Sequence, residues 1–187
     1  MTDPFLAAHE LSVDVYTLAG RVPVSIRDQI LRAHYLIERL FSAGKLAVGT
    51  HLAVIGGGAA GASVAILAAR RGAKVKLLEA ARSPFRVQRS CTTRWIDPVQ
   101  YDWPATHAEK AQWPIEGLDP ARIPLGFEAG PASKIASQWT STLNKQRLHN
   151  SGNLVAHFGA KLSKVPKRGS GTSGSTIPES VTSTEAA

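Results

Sequence analysis

The sequence is poor in cysteine and has no excess of acidic residues. Cys91 is the only cysteine in 187 residues, so the chain can form no internal disulfide and contains no Cys-x-x-Cys redox pair. The first ten residues include acids but no basic residue ahead of an apolar patch, which is unlike a secretory signal peptide. We therefore expect a cytoplasmic protein that does not use the dithiol mechanism of disulfide reductases within one chain.

Long hydrophobic runs are also scarce. Residues 52–69 carry no charge, and Gly57 and Gly61 have the spacing of small residues in packed membrane helices. Three consecutive glycines, many alanines and few large apolar side chains nevertheless make this run a poor membrane-insertion segment. We therefore predict no membrane partner.

Positive charge is concentrated in one part of the chain. The formal net charge is +8, and residues 51–100 hold eight basic residues against two acidic ones. This local excess favours an anionic ligand, although a solvated basic surface gives the same pattern. No nucleic-acid-binding motif accompanies the charge, so we predict no nucleic-acid partner.

Residues 51–79 have the pattern of a βαβ unit. An apolar run at 52–55 predicts a buried parallel strand, and residues 59–71 predict a helix with an apolar face toward the sheet. A second strand is predicted at 74–79, and its last residue is Glu79. A glycine-rich turn joins the first strand to the helix, as in dinucleotide-binding folds.

The glycines of this turn have separate physical roles. Gly56 permits the tight turn, Gly58 lets a pyrophosphate approach the backbone, and Gly61 lets the helix pack closely on the strand. Glu79 follows Gly58 by twenty-one residues, where a carboxylate can bind both hydroxyls of an adenosine ribose and disfavours the 2′-phosphate of NADP. An ordinary βαβ unit with a glycine turn is the alternative. The candidate cofactor-binding residues are Gly56, Gly57, Gly58, Ala59, Ala60, Gly61 and Glu79.

The order Val-Ile-Gly-Gly-Gly-Ala-Ala-Gly, with Gly72 and Glu79 further on, resembles the N-terminal FAD-binding segment of FAD/NAD(P)-binding oxidoreductases. These are the glutathione-reductase-like and amine-oxidase-like flavoproteins. The resemblance implies an α/β fold, a Rossmann-like parallel sheet with helices on both faces, and FAD as the cofactor. It also implies that Arg82 lies near the adenosine or pyrophosphate, against the alternative of a solvated loop arginine. Residues 152–165 resemble the family element whose backbone meets adenine.

A helix is predicted ahead of the βαβ unit. Ser25 can cap it, Asp28 follows three residues later, and apolar residues recur on one face up to residue 43. Its charged face, which includes Arg27, is expected to point outward, and the helix is expected to pack beside the first strand of the βαβ unit.

The chain is predicted to have three parts. Residues 1–24 form an N-terminal extension, and residues 25–165 form an FAD/NAD(P)-binding Rossmann-like domain. Within this domain, a helix at 131–149 and a strand at 154–158 extend the parallel sheet. The tail, residues 166–187, is rich in Gly, Ser, Thr and Pro and is expected to be disordered.

The chemistry of the remaining segments is less specific. Residues 95–131 hold three of the four tryptophans and six prolines, so they form either a lid over a flat ligand or a loop that packs its aromatic rings on the domain. The acids and histidine at 97–107 lack a metal-ligand spacing, so no metal site is predicted. Cys91 lies near arginines but is not assigned as a nucleophile, and no catalytic residue is identified.

Three functions remain open at this point. The first is the FAD-binding portion of a flavin-dependent oxidoreductase, whose site a second subunit completes. The second is an NAD(H)-binding module or a truncated fragment without catalytic activity. The third is an interaction fragment that keeps the βαβ core and binds nothing. Compared with the resembled family, the sequence has no second glycine fingerprint and no later Gly-Asp motif for the ribityl chain of FAD.

Overall fold

The computed structural model describes residues 3–19, 25–98 and 123–161 of the chain. The described residues form the helices α1 (Pro4–His9), α2 (Ile26–Ser42), α3 (Ala59–Arg70), α4 (Arg86–Arg89) and α5 (Ala132–His149). They also form the strands β1 (Glu10–Ser12), β2 (Val15–Tyr16), β3 (His51–Ile55), β4 (Lys74–Glu79), β5 (Trp95–Ile96), β6 (Gly130–Pro131) and β7 (Leu154–Phe158). The tail predicted to be disordered at 166–187 lies outside the described residues.

The N-terminal segment folds into a short helix and a β-hairpin. The carboxylate of Asp3 caps α1 by accepting hydrogen bonds from the first-turn N–H groups, and β1 pairs antiparallel with β2. Leu6 joins the hydrophobic core, and Asp3 forms an ion pair of 2.9 Å with Arg39 on α2. The segment 3–19 is thus held by contacts with α2, which its own weak periodicity did not indicate.

Helix α2 begins as predicted but packs elsewhere. The side chain of Ser25 and that of Asp28 form a reciprocal capping box, which satisfies two N–H groups at the helix start. The expected outward charged face is wrong for Arg27, whose exposed fraction is only 6%. The expected position beside the first strand is also wrong, because α2 lies against α3.

The position of α2 follows from the composition of α3. Helix α3 is built largely from alanine, and Ala62, Ala65 and Ala69 are all buried. Such small side chains leave the helix thin, so a second helix can approach its outer side while its inner side packs on the sheet. A salt bridge of 2.7 Å between Arg71 and Glu38 also joins the two segments. Helix α3 is therefore buried on both sides.

The central sheet has three parallel strands in the order β3-β4-β7. Val54 on β3 is opposite Leu77 on β4, which in turn is opposite Ala156 on β7. Helix α3 connects β3 to β4, and α5 precedes β7, as expected for a sheet built from parallel crossovers. The predicted α/β fold with a parallel sheet and flanking helices is confirmed.

The two faces of this sheet have different surroundings. On one face Val54, Leu77 and Leu154 are buried in the core beneath α3 and α5. On the other face Lys76 and Val155 are exposed. At these two positions the second face is more exposed than the first.

Aromatic side chains fix the segment after β4 to α5. The ring of Trp139 on α5 lies 5.4 Å from that of Phe85 and 5.3 Å from that of Phe127, measured between centroids. All three side chains are buried. Trp95, in the small β5–β6 sheet, is instead 64% exposed. Most of the segment predicted to be a lid or an aromatic-packing loop, residues 99–122, lies outside the described residues.

Candidate functional site

The turn between β3 and α3 requires glycine at two positions for its own geometry. Gly56 has φ +100, a conformation that other residues rarely adopt, and its N–H donates a 2.8 Å hydrogen bond to the carbonyl of Leu78 on β4. A β-carbon at position 61 would lie far inside van der Waals contact with the carbonyl oxygen of Gly56. The close approach of helix to strand thus depends on Gly56 and Gly61.

Gly58 leaves open space at the start of α3. It is the N-cap residue, with φ −77 and ψ −176, and a β-carbon added there would meet no atom within 4 Å. No side chain in the described part of the chain caps this helix. The N–H groups of Ala59 and Ala60 belong to the first helical turn and have no partner within the helix. An anion can therefore approach backbone N–H groups at the positive end of the helix dipole.

Glu79 lies directly beside this turn. One carboxylate oxygen, Oε2, accepts a 2.5 Å hydrogen bond from the N–H of Gly57, and Oε1 accepts a 2.6 Å hydrogen bond from the N–H of Ala81. A β-carbon at Gly57 would stand only 3.0 Å from the β-carbon of Glu79. The fold thus brings together the glycine turn and the acid, which are more than twenty residues apart in sequence.

Arg82 occupies the loop that follows Glu79. Its side chain is exposed, as are those of Arg86 and Arg94. The same loop returns to the glycine turn, where the N–H of Phe85 donates a 3.0 Å hydrogen bond to the carbonyl of Gly57. Arg82 is therefore near the turn along the backbone, with its guanidinium in solvent.

Comparison with known families identifies the chain. Residues 51–152 match the family model described as FAD dependent oxidoreductase, and this range is more than half of the 187 residues. The chain belongs to the FAD-dependent oxidoreductase family. The matched range begins at β3 and includes the glycine turn, Glu79 and Arg82. No match was found among curated proteins or among solved structures.

Two contacts of the family's glycine turn were not anticipated from the sequence. The glycine spacing allows any residue at position 57, yet a β-carbon there would lie only 3.0 Å from the β-carbon of Glu79. Phe85 holds the carbonyl of Gly57 while its own backbone has φ 56, which is rare for an aromatic residue. A positive φ at phenylalanine has no signal in the sequence, and the ring of this residue is buried against Trp139.

Other candidate groups stand apart from this site. Cys91 is half-buried against the hydrophobic core. In residues 3–19, 25–98 and 123–161, no group of His, Cys, Asp and Glu side chains could hold a metal ion. None of the helices in those same ranges is both long and apolar enough to cross a membrane.

Proposed function

We propose that this chain is the FAD-binding portion of a flavin-dependent oxidoreductase. The pyrophosphate of FAD would bind the backbone N–H groups of the turn at 56–61, and Glu79 would accept hydrogen bonds from the ribose hydroxyls. Arg82 would approach the adenosine or the pyrophosphate from the following loop. In domain terms, residues 25–165 would form the cofactor-binding unit, with residues 1–24 as an N-terminal extension.

The observation that carries this proposal is that the carboxylate of Glu79 lies beside the first turn of α3, where the space at Gly58 is open. The open space at Gly58 admits a phosphate group to the N–H groups of α3, and a side chain there would fill it. The carboxylate of Glu79 stands on the other side of Gly57. A cation-binding site would not present free N–H groups, and a purely structural βαβ unit would not need the open space. Both features support binding of the ADP half of FAD.

In this proposal FAD and the protein have separate roles. Bound FAD supplies hydride-transfer chemistry, and the protein binds and orients it. The residues named above all serve the ADP half, and no catalytic acid or base is assigned. A second subunit that completes the site around the flavin ring is part of the same proposal. The family match favours FAD and gives no support to NAD as the cofactor.

Titration of the purified chain with FAD tests the proposal. Binding should change flavin fluorescence, and both ADP and NAD should compete, because each carries the ADP half that the named residues would contact. The Gly58→Val variant should lose binding because its side chain occupies the phosphate space. Lys76→Val is the control, because it places the same valine side chain on the exposed face of β4 and not in the glycine turn. If FAD binds both variants equally well, or does not bind the wild type, the proposed site is wrong.

A further inference from the structure

We propose that Glu79 is a positioning residue, which holds the glycine turn in its ligand-ready shape before any cofactor arrives. This inference rests on the proposed function, since it concerns the same turn. It differs from a ribose contact because it assigns the carboxylate a role toward the protein backbone. The role would persist with a ligand that has no ribose.

The first step of the argument is that both oxygens of Glu79 already have backbone partners. Oε2 accepts from the N–H of Gly57, in the turn after β3, and Oε1 accepts from the N–H of Ala81, in the loop after β4. The carboxylate therefore joins two loops that leave neighbouring strands at the same edge of the sheet. A charged acceptor makes stronger hydrogen bonds to N–H groups than a neutral one.

The second step is that the peptide groups around Gly57 are held from both sides. Its N–H is bound by Glu79, and its carbonyl accepts a hydrogen bond from Phe85. Phe85 is in turn fixed by its buried ring, which packs on Trp139 of α5. These two contacts of Gly57 connect the turn to β4 and to the core. Glu79 is the component of this connection that a substitution can remove without opening the core.

The third step concerns the shape that is held. With Gly57 fixed, Gly58 lies in extended conformation and faces open space, and α3 begins immediately after it. Binding a flexible turn would require its ordering at the moment of binding, which lowers affinity. A turn fixed in advance avoids that loss. The contacts of Glu79 therefore hold the turn in the conformation that offers its N–H groups to an anion.

The proposal and the simpler alternative predict opposite effects of Glu79→Gln on anion binding. If Glu79 were only a nearby negative charge, its neutralisation in Glu79→Gln would strengthen the binding of an anion. If Glu79 positions the turn, the same substitution weakens that binding, because the amide nitrogen of glutamine cannot accept a hydrogen bond from an N–H group. Inorganic pyrophosphate is the suitable probe, since it has phosphates but no ribose.

The experiment compares amide hydrogen exchange of the unliganded full chain in wild type, Glu79→Gln and Glu128→Gln. Glu128 is an exposed glutamate and provides the same substitution away from the turn. We expect exchange at Gly57 or Ala81 to become about tenfold faster in Glu79→Gln only, with the Leu77 amide unchanged as the reference for global stability. Gly57→Ala, whose β-carbon displaces Glu79, should give the same local increase.

Pyrophosphate binding completes the test. Weaker binding to Glu79→Gln together with faster local exchange supports the positioning role. Unchanged exchange at Gly57 and Ala81, or stronger pyrophosphate binding, overturns it. A wild type that binds neither FAD nor pyrophosphate rejects the proposed function instead. The exchange comparison still decides in that case whether Glu79 fixes the turn.

Discussion

The carbonyl oxygen of Gly56 occupies the space that a β-carbon at Gly61 would need. Helix α3 thus approaches the end of β3 too closely for a side chain at position 61. The requirement for glycine at position 61 is therefore structural, whereas the open space at Gly58 would serve a ligand. The roles of Gly58 and Gly61 can therefore be distinguished by experiment.

Substitution of the two glycines should affect different properties. Gly61→Ala should lower the free energy of unfolding by about 1–3 kcal/mol or more, because the added methyl group forces α3 away from β3. Gly58→Ala should leave stability nearly unchanged, since its backbone is extended and its surroundings are open. Urea denaturation followed by circular dichroism measures both. Equal stability losses in the two variants would contradict the assigned roles.

The βαβ unit could be predicted because its signals are local. The apolar strands, the glycine spacing and the acid at position 79 lie within one short stretch of sequence. The strand ending at Glu79 appears at the predicted residues, and the helix after the turn ends one residue earlier than expected. The glycine turn and Glu79 meet because the carboxyl ends of adjacent parallel strands lie at one edge of a sheet.

Tertiary contacts that depend on several segments could not be predicted. The periodicity of α2 shows which face is apolar but not which element covers it, so its position on α3 was missed. Arg27 is charged and was placed outside, yet it is buried. The positive φ of Phe85 and the packing of its ring on Trp139 were likewise not indicated by the sequence. These features require knowledge of neighbours that are distant in sequence.

The packing of α2 on α3 predicts that the helix before the βαβ unit contributes to its stability. Ile30 is fully buried, so Ile30→Ala should cost about 2–5 kcal/mol in the free energy of unfolding. The unfolding transition should remain single if residues 25–165 form one unit. Glu38→Ala, on the exposed side of α2, is the control and should cost at most about 1 kcal/mol. Two separate transitions in wild type would contradict the predicted domain boundary.

His34 predicts a loss of stability in acid. This side chain is 3% exposed, and its Nε2 atom has no hydrogen-bond partner among the described residues. Burial lowers the pKa of His34 from 6.5 to about 4, with Glu38 raising it and Arg70 lowering it by smaller amounts. The unfolded chain therefore binds a proton near pH 6.5 while the folded chain resists it. The contribution of neutral His34 to the free energy of unfolding is fully present above pH 6.5 and falls as the pH drops toward 4.

A His34→Leu variant isolates this effect. The difference in unfolding free energy between wild type and variant should change by up to about 3 kcal/mol between pH 7 and pH 4, in favour of the variant at low pH. Using the difference removes the contribution of carboxylates that titrate in both proteins. Chemical denaturation at half-unit pH intervals measures it. A difference that stays constant across this range would show that His34 takes up its proton equally in both states.

Arg82 provides the last prediction, which concerns the affinity for FAD. Its guanidinium is exposed in the loop beside Glu79 and could reach the phosphates of a ligand at the glycine turn. Arg82→Gln should weaken FAD binding about three- to tenfold and reduce its dependence on salt, as expected for an exposed charge worth about 1 kcal/mol. Lys76→Gln removes the same charge from the exposed face of the sheet and should leave the affinity nearly unchanged. Equal losses in both variants would mean that only the net charge attracts FAD, and that Arg82 has no specific contact with it.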